Sequence, residues 1–157
     1  MTAPPAGYTT AAPWIVTRDT RKLFEFITEV FDGVELGLVP LEDGSIGHAE
    51  IRLGDTVLLA FDQREGWPDM PALLRVFVAD ADATTQAALD AGATLVTRPL
   101  TQAFGQRGSR VREPFGNTGG RRRRSIGNCE VSRPAERRSA RPVGGGRRPR
   151  RVRAPEA

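Results

Sequence analysis

His48 and Glu50 stand two residues apart in the segment Ile46–Leu53 (IGHAEIRL), which reads as a strand. Side chains alternate along a strand, so His48, Glu50 and Arg52 share one face. An imidazole changes charge near neutral pH, which makes His48 the candidate base. No nucleophile and orienting group can be placed beside it, so the favoured reading is a hydrogen-bonded strand histidine. No catalytic residue is named on that basis. Arg75 lies amid Leu-Leu-Arg-Val-Phe-Val, and an arginine in an apolar strand needs a partner or water. It either pairs with Glu50 or sits on an exposed sheet face. Trp14, Phe61 and Phe77 offer aromatic surface, either to a core or to a ligand. The lone Cys129 falls in an Arg-rich stretch and is not a credible nucleophile.

The elements that must carry these residues follow from the apolar pattern. Thr10–Thr17 reads as a strand with Pro13 marking an edge or a bulge. Asp19 then caps a helix in which Leu23, Phe24, Ile27, Val30 and Phe31 recur on one face, and Gly33 ends it in a left-handed turn. Val34–Pro40, Ile46–Leu53 and Thr56–Phe61 are three further strands, separated by turns at Glu42-Asp43-Gly44 and Gly54-Asp55. A polar connector, Asp62–Pro71, follows. The order then restarts: strand Leu73–Val78, a helix capped by Asp80 or Asp82 and closed by Gly92, strand Ala93–Thr97, and Arg110–Phe115 as part of another strand. The Val16-Thr-Arg-Asp start and the Val78-Ala-Asp start lie 62 residues apart. The chain is therefore an internal β-α-β-β-β repeat, an α+β fold.

Charge is segregated along the 157 residues. The chain holds 23 basic and 19 acidic residues, one His, one Cys and a single Lys among the bases. Residues 1–117 carry 10 basic and 16 acidic residues; residues 118–157 carry 13 and 3. The formal net charge of +4 thus joins a body at −6 to a tail at +10. One Cys excludes an intrachain disulfide, and one His excludes a His-rich metal centre within the chain. There is no secretory leader pattern at Met1–Thr10 and no apolar run that would span a bilayer, so the expected location is the cytoplasm.

Val16-Thr-Arg-Asp with Phe24–Phe31, Gly47-His-Ala-Glu50 with Leu53-Gly-Asp55, Asp90-Ala-Gly-Ala93 and Glu113-Pro-Phe-Gly-Asn117 occur in a telling order. In that order they resemble the glyoxalase / bleomycin-resistance / extradiol-dioxygenase superfamily, the vicinal oxygen chelate proteins. The resemblance covers about residues 8–117, as modules 8–62 and 72–117 of one domain, 1–117. It implies paired βαβββ modules forming a curved mixed sheet with a concave cavity, and a homodimer whose cavities are completed across subunits.

Metal-dependent relatives take ligands from the first and last strands of each module. Matched residue by residue, those positions hold Ala12, Leu59, Leu73 and Gly120, none of which ligates through a side chain. No metal and no other cofactor is expected. With Ala12 and Leu73 facing inward, so do Trp14, Val16, Arg75 and Phe77, while Val57, Leu59 and Phe61 share a face of the fourth strand. The side taken by His48 and Glu50 stays open. The expected ligand-binding set is Trp14, His48, Glu50, Phe61, Arg75 and Phe77, around a small organic ligand.

Residues 118–157 are rich in Arg, Gly, Pro and Ala and lack sustained periodicity, so a disordered low-complexity tail is expected. Such a tail binds nucleic acid only non-specifically, through phosphates. The family fold requires an eighth strand directly after Asn117, where the chain reads Thr-Gly-Gly-Arg-Arg-Arg-Arg. Removing one T from ATC TGG TGG, which encodes Ile-Trp-Trp, opens Thr-Gly-Gly. A single-base frameshift that abolishes the last strand is therefore expected, and resequencing codons 110–125 tests it. The function implied is metal-free sequestration of a cationic or aromatic compound, such as an antibiotic. The alternatives are a metal-dependent lyase, isomerase or dioxygenase of the same superfamily, and a nucleic-acid binder acting through the tail.

Overall fold

A computed structural model of the chain describes residues 3–70, 72–115 and 128–134. The first module runs β1 (Trp14–Thr17), α1 (Thr20–Phe31), β2 (Val34–Pro40), β3 (Ile46–Leu53) and β4 (Thr56–Asp62). The second runs β5 (Leu73–Phe77), α2 (Ala81–Asp90), β6 (Thr94–Thr101), β7 (Arg107–Arg112) and β8 (Asn128–Arg133). Each module makes its own four-stranded mixed sheet, with orders β1-β4-β3-β2 and β5-β8-β7-β6. The parallel pair in each, β1 with β4 and β5 with β8, is the signature of a repeated unit. The repeat read from the sequence is thus present in three dimensions.

Helix α1 forms because Asp19 accepts from the Lys22 amide at 3.1 Å and because Leu23, Phe24, Ile27 and Val30 fall on one buried face. Its end differs from the sequence expectation. The left-handed residue is Asp32 (φ 56°), not Gly33. Gly33 is needed for space: a Cβ there would lie 2.7 Å from Ile27 Cγ2 and 3.0 Å from Ile51 Cδ1. Helix α2, capped by Asp80 through the Asp82 and Ala83 amides, buries only small residues: Ala81, Thr85 and Ala88. It therefore sits close to β7, where the Thr85 and Ser109 hydroxyls meet at 2.6 Å.

Ala49, Ile51, Leu58 and Ala60 of the first sheet share one apolar core with Val111, Cys129 and Val131 of the second. Both helices join it. The modules are also cross-braced, since Thr17 Oγ1 donates to the Phe115 carbonyl and Phe115 packs edge-on to Phe26. Asp62 ties the first module together: it accepts from Thr20 N, Thr20 Oγ1 and Ile46 N at 2.7–2.8 Å. A small apolar void of about 50 Å³ beside α1 belongs to this core.

The expectation that the eighth strand is lost is overturned. Asn128–Arg133 pairs with β5 over five residues and with β7 over six. Cys129, placed by the sequence reading in a disordered tail, is buried in this strand beside Val131. The reason is local alternation: Cys129 and Val131 turn to the core while Glu130 turns away. A composition averaged over 40 residues hides a strand of six. The remainder of the tail, 118–127 and 135–157, and the Gly116-Asn117 pair of the family motif lie outside the described residues.

Candidate functional site

Because the helix-bearing faces share the core, the opposite face of each sheet is open. On the first sheet that face carries Trp14 from β1, His48 and Glu50 from β3, and Phe61 from β4. The side left open by the sequence is now fixed: His48 lies edge-on to Trp14 with ring centroids 6.0 Å apart, whereas Ala49 and Ile51 enter the core. Trp14 in turn meets Phe61 edge-on at 5.8 Å. Four of the six expected ligand residues are therefore neighbours.

The connector after β4 completes this cluster. Gln63 N donates to Thr17 O and Met70 N to Val16 O, so both ends of the segment are tied to β1. Between them Arg64 and Trp67 exchange backbone hydrogen bonds in a turn containing Gly66 (φ 79°). The connector is thus a strap across the open face. It sets Trp67 edge-on to Phe61 at 5.8 Å and lays the Arg64 guanidinium over the Phe61 ring at 5.0 Å. The result is an apolar cleft of about 300 Å³, lined by Trp14, Val16, Gly47, His48, Phe61, Arg64, Trp67 and Met70. That volume is at the lower end of the range for small-molecule sites, ~300–1,000 Å³. Both tryptophans of the chain line it.

Behind His48, both oxygens of Glu50 are engaged. Tyr8 donates to its Oε2 and His48 Nε2 lies 3.0 Å from its Oε1. The Tyr8 hydroxyl first, and the His48 ring second, hold the Glu50 carboxyl below its ordinary range. The same contact raises Tyr8. An ionised Glu50 makes His48 Nε2 the donor, which leaves Nδ1 to face other partners. The cluster can stack a ring and exchange hydrogen bonds with it, but among the described residues no nucleophile stands beside His48.

Arg75 and Phe77 lie elsewhere, on the open face of the second sheet. Arg75 pairs with Glu130 of β8, which also lies 3.8 Å from Arg110. The suggested Arg75–Glu50 pair is corrected accordingly; Glu130 lies directly across from Arg75 in the β5–β8 register. The two expected residues line a separate groove of about 420 Å³ with the Gly54-Asp55 turn.

Tyr8, Arg64, Trp67, Met70 and Glu130 were not legible as site residues. Tyr8 precedes any element, and the strap residues sit in a stretch that reads as polar connector. Trp67 within that stretch was the available signal, a large aromatic with no periodic partner. Among the described residues, the positions matched to the family's metal ligands carry no side-chain donor. Leu59 and Leu73 occupy matched positions, Gly120 is outside the described residues, and no group of three or more His, Cys, Asp or Glu converges among those described. Glu50 and Glu130 are each already engaged by hydrogen-bond donors or cations.

The sequence profile of the Glyoxalase/Bleomycin resistance protein/Dioxygenase superfamily matches residues 7–118. The chain belongs to this superfamily. It is 39% identical over 117 residues to an uncharacterized protein of Mycobacterium bovis, covering 68% of this chain and 77% of that one. An uncharacterized protein of Mycobacterium tuberculosis is equally similar, with 69% of its length covered. Among solved structures, TioX from Micromonospora superposes with a TM-score of 0.59 at 19% identity, covering 82% of this chain and 98% of that one. TnmS3, an antibiotic binding protein from Streptomyces, gives 0.58 at 18% identity, with coverages of 86% and 99%. FosX, a fosfomycin resistance protein from Listeria monocytogenes, gives 0.58 at 12%, with 78% and 91%. These likenesses establish the superfamily fold. No helix among the described residues is long and apolar enough to cross a membrane.

Proposed function

We propose that this superfamily member is a metal-independent small-molecule-binding protein of the cytoplasm that sequesters an aromatic compound, of the kind represented by antibiotics. The observation that carries this reading is the cleft itself: two indoles and a phenyl ring gathered by a strap across an open sheet face. Structural neighbours whose names include antibiotic binding and fosfomycin resistance support an antibiotic as the kind of ligand. A second copy of the chain completes the site. Trp14 is 55% exposed, Leu73 67% and Phe77 55%, an apolar load that a protomer sheds by pairing.

Trp14 and Trp67 make intrinsic fluorescence a reporter of this cleft. Titration with aromatic antibiotics should quench it and raise the melting temperature, while Mn²⁺, Ni²⁺ or Zn²⁺ alone should do neither. Stoichiometric metal binding, or binding of the aromatic compound only with metal present, overturns the reading.

A further inference from the structure

We propose that the cleft selects planar aromatic ligands bearing an anionic group, a carboxylate or phenolate, and that Arg64 is the residue that binds it. This rests on the cleft being the small-molecule site. At long range the acidic body favours a cation, but within the cleft the balance of free charge is reversed. Glu50, beside His48, has one oxygen bonded to Tyr8 and the other to His48. A ligand cation would have to share those oxygens with Tyr8 and His48.

Arg64 is placed differently. It lines the cleft, and its guanidinium lies over Phe61. Among the described residues it has no carboxylate within ion-pair distance, although Glu65 and Asp69 belong to the same strap. The guanidinium carries five N–H donors in a fixed fork, and its contact with the Phe61 ring engages no carboxylate. A planar carboxylate meets that fork in its own plane. A cationic ligand would instead compete with Arg64 for the Phe61 face and be repelled by it. The strap therefore holds both the stacking surface, Trp67, and the charge, three residues apart on one turn.

The test uses the full chain and three probes on one ring system: 2-naphthoate, 2-naphthylmethanol and 2-naphthylmethylammonium. Affinities come from tryptophan quenching and calorimetry at fixed ionic strength. Naphthoate should bind about tenfold more tightly than the alcohol, the ratio expected of one charge-assisted bond, and the ammonium most weakly. Arg64→Gln should bring naphthoate down to the level of the alcohol, and Arg64→Lys should retain part of the preference; thermal unfolding verifies that both variants fold. An ammonium that binds as well as naphthoate, or an anion preference that survives Arg64→Gln, overturns the proposal while leaving the cleft as a binding site. If no probe binds, or if binding survives Trp14→Ala, the reading of the cleft itself fails and this proposal falls with it.

Discussion

The Tyr8 hydroxyl donates to the Glu50 carboxylate across 42 residues of sequence, so a segment outside any element is fastened to the floor of the open face. The contact lowers the Glu50 carboxyl and raises the Tyr8 phenol. For Glu50 the stabilisation is present above the ordinary value of 4.5 and is lost as pH falls through the lower folded value. For Tyr8 it is present below 10.0 and is lost as pH rises through the higher folded value. Tyr8→Phe should move the Glu50 titration, followed by carboxyl NMR, upward toward 4.5. It should stop short of it, because His48 remains. A titration unmoved by the substitution would show that Tyr8 does not bond Glu50 in solution.

Gly108 lies against the backbone of β8. A Cβ there would be 2.5 Å from the Val131 carbonyl oxygen, which belongs to the ladder and cannot move aside. Gly108→Ala should cost roughly 1–3 kcal/mol, and Val131→Asp, which buries a carboxylate in the core, ~3 kcal/mol or more. Urea unfolding measures both. Neutral outcomes at both positions would mean that the strand does not occupy this place.

Asp62 gathers three donors from α1 and β3 onto two oxygens. Asp62→Ala leaves them without that acceptor, and a loss of roughly 2–4 kcal/mol is expected. The fall in urea midpoint should come with earlier exchange of the Thr20 and Ile46 amides. Stability equal to wild type would remove Asp62 as the tie between these elements.

The open faces predict a dimer. Sedimentation should give twice the 17.1 kDa chain mass, and Phe77→Glu with Leu73→Glu should shift it toward one chain. Both positions are exposed in the protomer, so its melting temperature in dilute solution should change little. A wild-type protein that sediments as one chain at high micromolar concentration would argue against pairing.

Most of the architecture was legible because periodicity and punctuation agree. Val34–Pro40 and Ile46–Leu53 were bounded correctly from alternation and turn residues alone. The site was half legible: alternation put Trp14 and Phe61 on the open side, but could not orient β3 without the Trp14–His48 contact. The strap was hidden because its order comes from two hydrogen bonds to β1, which leave no pattern in a polar segment. β8 was hidden because short strand alternation was outweighed by the surrounding arginines. Gly33 was assigned the right position for the wrong reason, since crowding against Ile27 and Ile51, not backbone handedness, requires it.

The chain has one thiol, and it lies in β8. Burial, with Glu130 adding to it, pushes Cys129 up to about 12, so at pH 8 the folded strand presents almost no thiolate. Detachment of β8 returns the thiol to its ordinary range and to solvent. Alkylation of Cys129 is then a clock that ticks only when this strand opens, readable by mass on the native protein without a label or a reporter dye. Its rate gives the free energy of opening this inner strand of the second sheet, which lies between β5 and β7, separately from global unfolding. A bound ligand in the first module should slow that clock only to the extent that the shared core couples the two halves.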